Sequence, residues 1–102
     1  MWGLIVRVKV VAGRRDQFVG LLQQSAVGMP GCLSYVVAHD ASDQDVVWVT
    51  EVWRDATSHE ASLSLPRLQA VIPLGKALVA SFERIAVTSP VWAVGLQHPE
   101  SG

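Results

Sequence analysis

A chain of 102 residues has room for one domain, and so short a domain buries only about two-thirds of the surface that its unfolded form exposes. Half of its residues are hydrophobic and 17% are charged, more apolar surface than a small monomer readily hides, so part of it is expected to become a subunit interface. The formal charge of −1 offers no basic field for nucleic acid and no polybasic patch for a membrane, and no apolar run approaches the roughly 18 residues of a membrane span, so a soluble, cytoplasmic protein is expected.

In chain order, residues 2–11 alternate, with Leu4, Val6, Val8 and Val10 on one face and Ile5, Arg7, Lys9 and Val11 on the other, which reads as a strand. Gly13 breaks it. Residues 14–28 change to helical spacing, with Phe18, Leu22, Ser25 and Met29 on one stripe and Leu21 beside it, and Gly28-Met-Pro-Gly31 ends the helix. Residues 32–39 form a second strand with Tyr35 in its middle. The polar turn 40–45 then leads to a third strand, 46–54, which makes a hairpin with the second. Asp55 or Thr57 caps a short helix, with Glu60 three residues after Thr57 as a capping box requires. Pro66 suits the first turn of a further helix to about residue 80, which Pro73 must kink or restart. Residues 82–94 read as a last strand. The expected domain is 1–96, with 97–102 as a flexible tail.

The order β-α-β-β-α-β is the ferredoxin-like plan, an α+β sandwich of a four-stranded antiparallel sheet with helices on one face. The strands carry apolar residues on both sides, so the face without helices is expected to be covered by the sheet of a second copy. A homodimer follows.

Pro30-Gly31-Cys32-Leu33-Ser34-Tyr35, with Thr50-Glu51-Val52-Trp53 following fifteen residues after Tyr35 and Ser64-Leu65-Pro66-Arg67-Leu68-Gln69-Ala70 further on, resembles the antibiotic biosynthesis monooxygenase superfamily. The joint order and spacing of these motifs on this element plan make the match specific, and it spans residues 4 to about 95. The resemblance implies a dimeric α/β barrel with a cavity in each subunit between sheet and helices. It implies chemistry ranging from cofactor-independent oxygenation of phenols or quinols to haem degradation and isomerisation, so the fold leaves the reaction open. Two departures stand out. The His that many members place before a Leu aligns with Ser62-Leu63, and this chain has His59 instead. Val6 stands where haem-degrading relatives have Asn, and residues 64–80 contain no His, which speaks against haem degradation.

His59 shares a helical stripe with Ala56 and Leu63 that should face the sheet, and an imidazole titrating near neutrality suits a general base for a phenol or quinol. The alternative is a hydrogen-bonded histidine at a helix start. Glu51, among apolar neighbours, is expected to pair with Arg7 or Lys9 across adjacent strands one and three; proton transfer is its second reading. Trp48 and Trp53 fall on opposite faces, one expected at the cavity and the other at the dimer face. Tyr35 is either structural or orients substrate. The lone Cys32 reads as a small apolar residue, His39 and His98 as exposed, and the dispersed histidines as no metal site. No phosphate loop, Cys pair or Ser-His-Asp arrangement is present.

The expected function is cofactor-independent oxygenation of a small aromatic, phenolic or quinol-type substrate by O2, with His59 as base and Val6, Val8, Tyr35, Trp53 and Leu63 around the substrate. Strand one, through Leu4, Val6 and Val8, forms a wall of that cavity. A binding module without turnover, or a non-oxidative isomerase of a small metabolite, are the alternatives.

Overall fold

The computed structural model describes residues 1–95, so the expected tail at 97–102 lies outside the described residues. Seven elements follow one another: β1 (Trp2–Val10), α1 (Arg15–Ser25), β2 (Cys32–His39), β3 (Val46–Trp53), α2 (Ala56–Ser62), α3 (Pro66–Leu78) and β4 (Val79–Thr88). The strands form one open antiparallel sheet in the order β2-β3-β1-β4, the ferredoxin-like arrangement.

Alternation along β1 decides which face is covered. Leu4, Val6, Val8 and Val10 are at most 4% exposed, whereas Lys9 between them is exposed. Phe18 of α1 and Val47 and Val49 of β3 close over the same face to complete the core. Burying each such side chain contributes on the order of 1.5–3 kcal/mol. The opposite face carries Ile5, Val36, Ala38, Trp48 and Val52, with Arg7, Thr50 and Glu83 among them, and among the described residues no helix lies over it.

Antiparallel pairing sets inward side chains in rungs across the sheet. One rung runs Tyr35, Glu51, Leu4 and Val87, and the next runs Val37, Val49, Val6 and Arg84. A shift in the β1–β4 register between Ile5 and Val6 moves the pairing from Arg84 to Ala86 and leaves Ile85 as the extra residue.

Several boundaries differ from the sequence expectation. α1 ends at Ser25, capped by the Ala26 amide on the Leu22 carbonyl, with Gly28 and Gly31 at positive φ carrying the chain back to the sheet. α2 is capped by Asp55, whose Oδ1 accepts from the Ser58 amide at 2.7 Å; Thr57 lies inside the helix, so no capping box forms. Pro73 lies within one continuous helix, exposed on its surface, and does not divide it into two. β4 begins at Val79, three residues early, because Val79 pairs with Val10 at once. It ends at Thr88, which pairs with Gly3, and Pro90 just beyond has no N–H to donate.

Candidate active site

The helices do not lie flat on the sheet. Between them and its inner face is a cavity of about 550 Å³. Its floor is Leu4, Val6 and Val8 of β1 with Val49 of β3, and Phe18 and Leu22 of α1 with Leu68 and Ile72 of α3 form its roof. Polar groups gather at two places. His59, Glu51 and Tyr35 stand at the α2 end, while Lys76 of α3 and Arg84 of β4 face the cavity from its exposed β4 side.

The α2 end is built by short-range rules. Asp55 starts the helix, and one turn later His59 projects back onto the sheet. Its ring lies 4.8 Å from the Trp2 ring at 31° and meets Trp53 edge-on at 5.4 Å and 73°. His59 Nε2 is 3.9 Å from Glu51 Oε1, too far for a hydrogen bond but open to one after a small movement. Glu51 Oε1 is held by Trp53, whose Nε1 donates to it at 2.8 Å.

Burial governs the electrostatics here. It pushes Glu51 above the usual carboxylate range, opposed by the Trp53 hydrogen bond and by the positive charge of Arg84. Burial likewise lowers His59 below its ordinary value, with Arg84 adding to the effect and Glu60 opposing it. The imidazole is therefore neutral near pH 7 and able to accept a proton. Burial also raises the Tyr35 hydroxyl well above its ordinary value, with the Glu51 charge adding to it, so Tyr35 remains a hydrogen-bond donor. Tyr35 is among the residues that line the cavity.

Of the residues singled out in the sequence, Val6, Val8, Tyr35, His59 and Leu63 line the cavity together. Trp53 does not. Its indole is on the helix side but packed behind the Glu51–His59 pair and only 1% exposed, so its contact is with those two side chains and not with the cavity space. Trp48 lies on the opposite face, donating to Asp40 Oδ1 at 2.8 Å. The expected ion pairs of Glu51 do not form: Arg7 binds Glu83 at 3.0 Å and Lys9 binds Asp43 at 3.3 Å. Both lysine and arginine are at odd positions of β1, facing away from Glu51, whose β1 partner is Leu4. Cys32 is half-buried with its thiol pushed up by burial and is outside this cavity. His39 is exposed, and His98 lies outside the described residues.

Trp2, Lys76 and Arg84 were not singled out by sequence reasoning. Trp2 has the same parity as Leu4 and could have been placed on the inner face. Arg84 could not, because its facing depends on the β4 register.

Among the described residues, no three His, Cys, Asp or Glu side chains gather as a metal site, and no helix is long and apolar enough to cross a membrane. The antibiotic biosynthesis monooxygenase profile matches residues 1–74. A solved structure from Chloroflexus aurantiacus J-10-fl, assigned to antibiotic biosynthesis monooxygenase, is 45% identical with a TM-score of 0.90, covering 94% of this chain and 98% of that one. A structure of the same designation from Deinococcus radiodurans is 22% identical, with a TM-score of 0.75 and coverage of 96% and 100%. SnoaB from Streptomyces nogalater, a cofactor-independent oxygenase solved as a point mutant, is 14% identical with a TM-score of 0.76, covering 92% of this chain and 96% of that one. These last two show the shared fold. No curated protein matches the chain in sequence. With its sheet order, its cavity and these likenesses, the chain belongs to the antibiotic biosynthesis monooxygenase family.

Proposed function

We propose that this monooxygenase-like protein oxygenates a small aromatic, phenolic or quinol-type substrate with O2, without a bound cofactor, and that His59 is the general base. The observation that carries the reading is a neutral, part-buried imidazole beside a carboxyl group at the end of a largely apolar cavity of about 550 Å³. Such a cavity holds a ring system, and few polar groups remain to orient it.

In the proposed reaction, His59 Nε2 takes the proton of an acidic hydroxyl or of an activated CH2 flanked by aromatic rings. Glu51, 3.9 Å away, stabilises the imidazolium that results, and Trp53 keeps the carboxylate oriented. The electron-rich substrate anion then reacts with O2. For an activated CH2, one oxygen atom ends as the new carbonyl and the other leaves as water with the two displaced hydrogens, so the substrate itself supplies all four electrons. Tyr35 donates a hydrogen bond to the substrate from the neighbouring sheet position. Apolar walls exclude water from the anion.

The acting form is a cytoplasmic homodimer. Support comes from the uncovered sheet face, where Ile5, Val36, Trp48 and Val52 are set in a single layer suited to a second copy. The test of function is oxygen uptake by metal-stripped protein with quinols and hydroxylated polycyclic aromatics. Uptake above autoxidation that disappears in His59→Ala supports the reading. Equal uptake by wild type and His59→Ala removes His59 as base, and no uptake from any of these substrates removes the oxygenase assignment.

A further inference from the structure

The chain has eight Lys and Arg residues. Six of them have partners: Arg7 with Glu83, Lys9 with Asp43, Arg14 with Gln17, Arg15 with the carbonyls of Asp43 and Val46, Arg54 with Asp55 and Ser58, and Arg67 with the Ser25 carbonyl. The two with no hydrogen bond or ion pair among the described residues are Lys76 and Arg84, and both line the cavity. They come from different elements, α3 and β4, and both are exposed at the cavity wall. A solvated surface cation needs no partner. Two that converge on one apolar cavity from separate elements are different, because a ligand filling that cavity brings its own atoms to them.

The acidic lining of the cavity is limited to Glu51, which is on the inner rung beside Leu4, whereas Arg84 lies one rung along and two strands away. Strand geometry puts their Cα atoms about 12 Å apart, from two strand spacings of about 4.8 Å and one two-residue step of about 6.8 Å. Base and carboxyl thus stand toward the α2 end of the cavity and the two cations on its β4 side, near enough for the Arg84 charge to act on both His59 and Glu51. Lys76 and Arg84 are the cations that line the space, and Glu51 is its acidic lining residue. Phe82, 62% exposed and on the same inner face of β4 two residues before Arg84, supplies an aromatic edge beside them.

We propose that Arg84 and Lys76 form an anion subsite, so that the ligand of this cavity is an aromatic carboxylate whose ring hydroxyl or activated carbon points to His59 and whose carboxylate is held at the β4 side. This inference rests on the reading of the cavity as the substrate site, but it does not require turnover. Arg84 presents a planar fork that binds carboxylate through two hydrogen bonds, and Lys76 adds a point charge.

The experiment is anaerobic binding by calorimetry, with no reaction possible, of 6-hydroxy-2-naphthoate and of its neutral methyl ester. Wild type is expected to favour the carboxylate by tenfold or more, with the preference shrinking as salt rises. Arg84→Gln with Lys76→Gln should abolish the preference while leaving ester affinity unchanged, and Arg84→Lys should restore part of it. Both side chains are exposed, so an unchanged circular dichroism spectrum is expected for every variant. Equal binding of the two probes by wild type overturns the subsite, as does a preference that survives in the double variant or a failure of both to bind. Oxygen uptake separates this inference from the oxygenase reading. A charge-dependent preference without uptake of O2 leaves the anion subsite standing and removes the oxygenase. Uptake that is indifferent to the carboxylate does the reverse.

Discussion

Replacing Trp53 with Phe tests how the buried carboxyl group is sustained. Trp53 is 1% exposed and Glu51 8% exposed, and their 2.8 Å contact is the hydrogen bond that the structure provides to the Glu51 carboxyl. Phe keeps the aromatic edge toward His59 but removes the donor. Losing a hydrogen bond to a charged, buried acceptor costs about 2 kcal/mol, and the smaller ring removes about 1 kcal/mol of burial, so Trp53→Phe should cost about 3 kcal/mol above the titration of Glu51. Below it the carboxyl is neutral, the bond contributes about 1 kcal/mol, and the cost should drop to about 2 kcal/mol.

Because burial raises Glu51, the folded state holds a proton that the unfolded state has lost. Stability is then fully present below the ordinary value of 4.5 and declines as pH rises through the raised folded value. Glu51→Gln should remove this decline and, since its amide oxygen still accepts from Trp53, should equal or exceed wild type in stability at pH 8. In that background Trp53→Phe should cost about 2 kcal/mol at every pH. The assay is thermal and urea unfolding of the four proteins at pH 4 and pH 8, at one fixed protein concentration. At about 4–8 °C per kcal/mol, the single substitution should lower Tm by roughly 12–24 °C at pH 8. A Trp53→Phe cost that is the same in both backgrounds and at both pH values would show that Glu51 is not sustained by this bond.

Further outcomes follow from the geometry. The acid limb of kcat/KM for oxygen uptake should have its midpoint below 6.5, since burial and Arg84 both lower His59; a midpoint above 7 would assign the limb to another group. The same shift means that His59 opposes folding as pH falls below 6.5, so His59→Gln should flatten the stability curve there. Gly31→Ala should cost about 2 kcal/mol and weaken ligand binding, because φ is +80° and an added Cβ would stand 2.6 Å from Ser58 Cβ in the helix that carries His59. Gly28→Ala, with φ +70° but only the tip of Arg67 nearby, should lose stability from strain alone and keep binding. Equal binding losses in the two glycine variants would detach Gly31 from the placement of α2.

The element plan is legible in the chain because each element obeys a local rule. Period-two alternation in residues 2–10 makes β1 and assigns Leu4, Val6 and Val8 to one face, and parity places Trp48 and Trp53 on opposite sides. Helical spacing and Asp55 place His59 one turn into α2 on the stripe that faces the sheet. Strand order follows from the split β-α-β topology. Partners across the sheet were beyond these rules. Glu51 was expected to meet Arg7 or Lys9 because strands one and three are adjacent; adjacency is a topological fact, but facing depends on register, and the register opposes Leu4 to Glu51. β4 shows the same limit more strongly, since one extra residue at Ile85 separates the facing of Arg84 from that of Ala86, and no local pattern announces a bulge. The depth of the cavity, the 3.9 Å approach of His59 to Glu51 and the placement of both Lys76 and Arg84 on the cavity wall arise from packing between residues up to tens of positions apart. Short-range preferences choose helices, strands and their inward faces, whereas the distances between inward side chains are set only when all the layers close together.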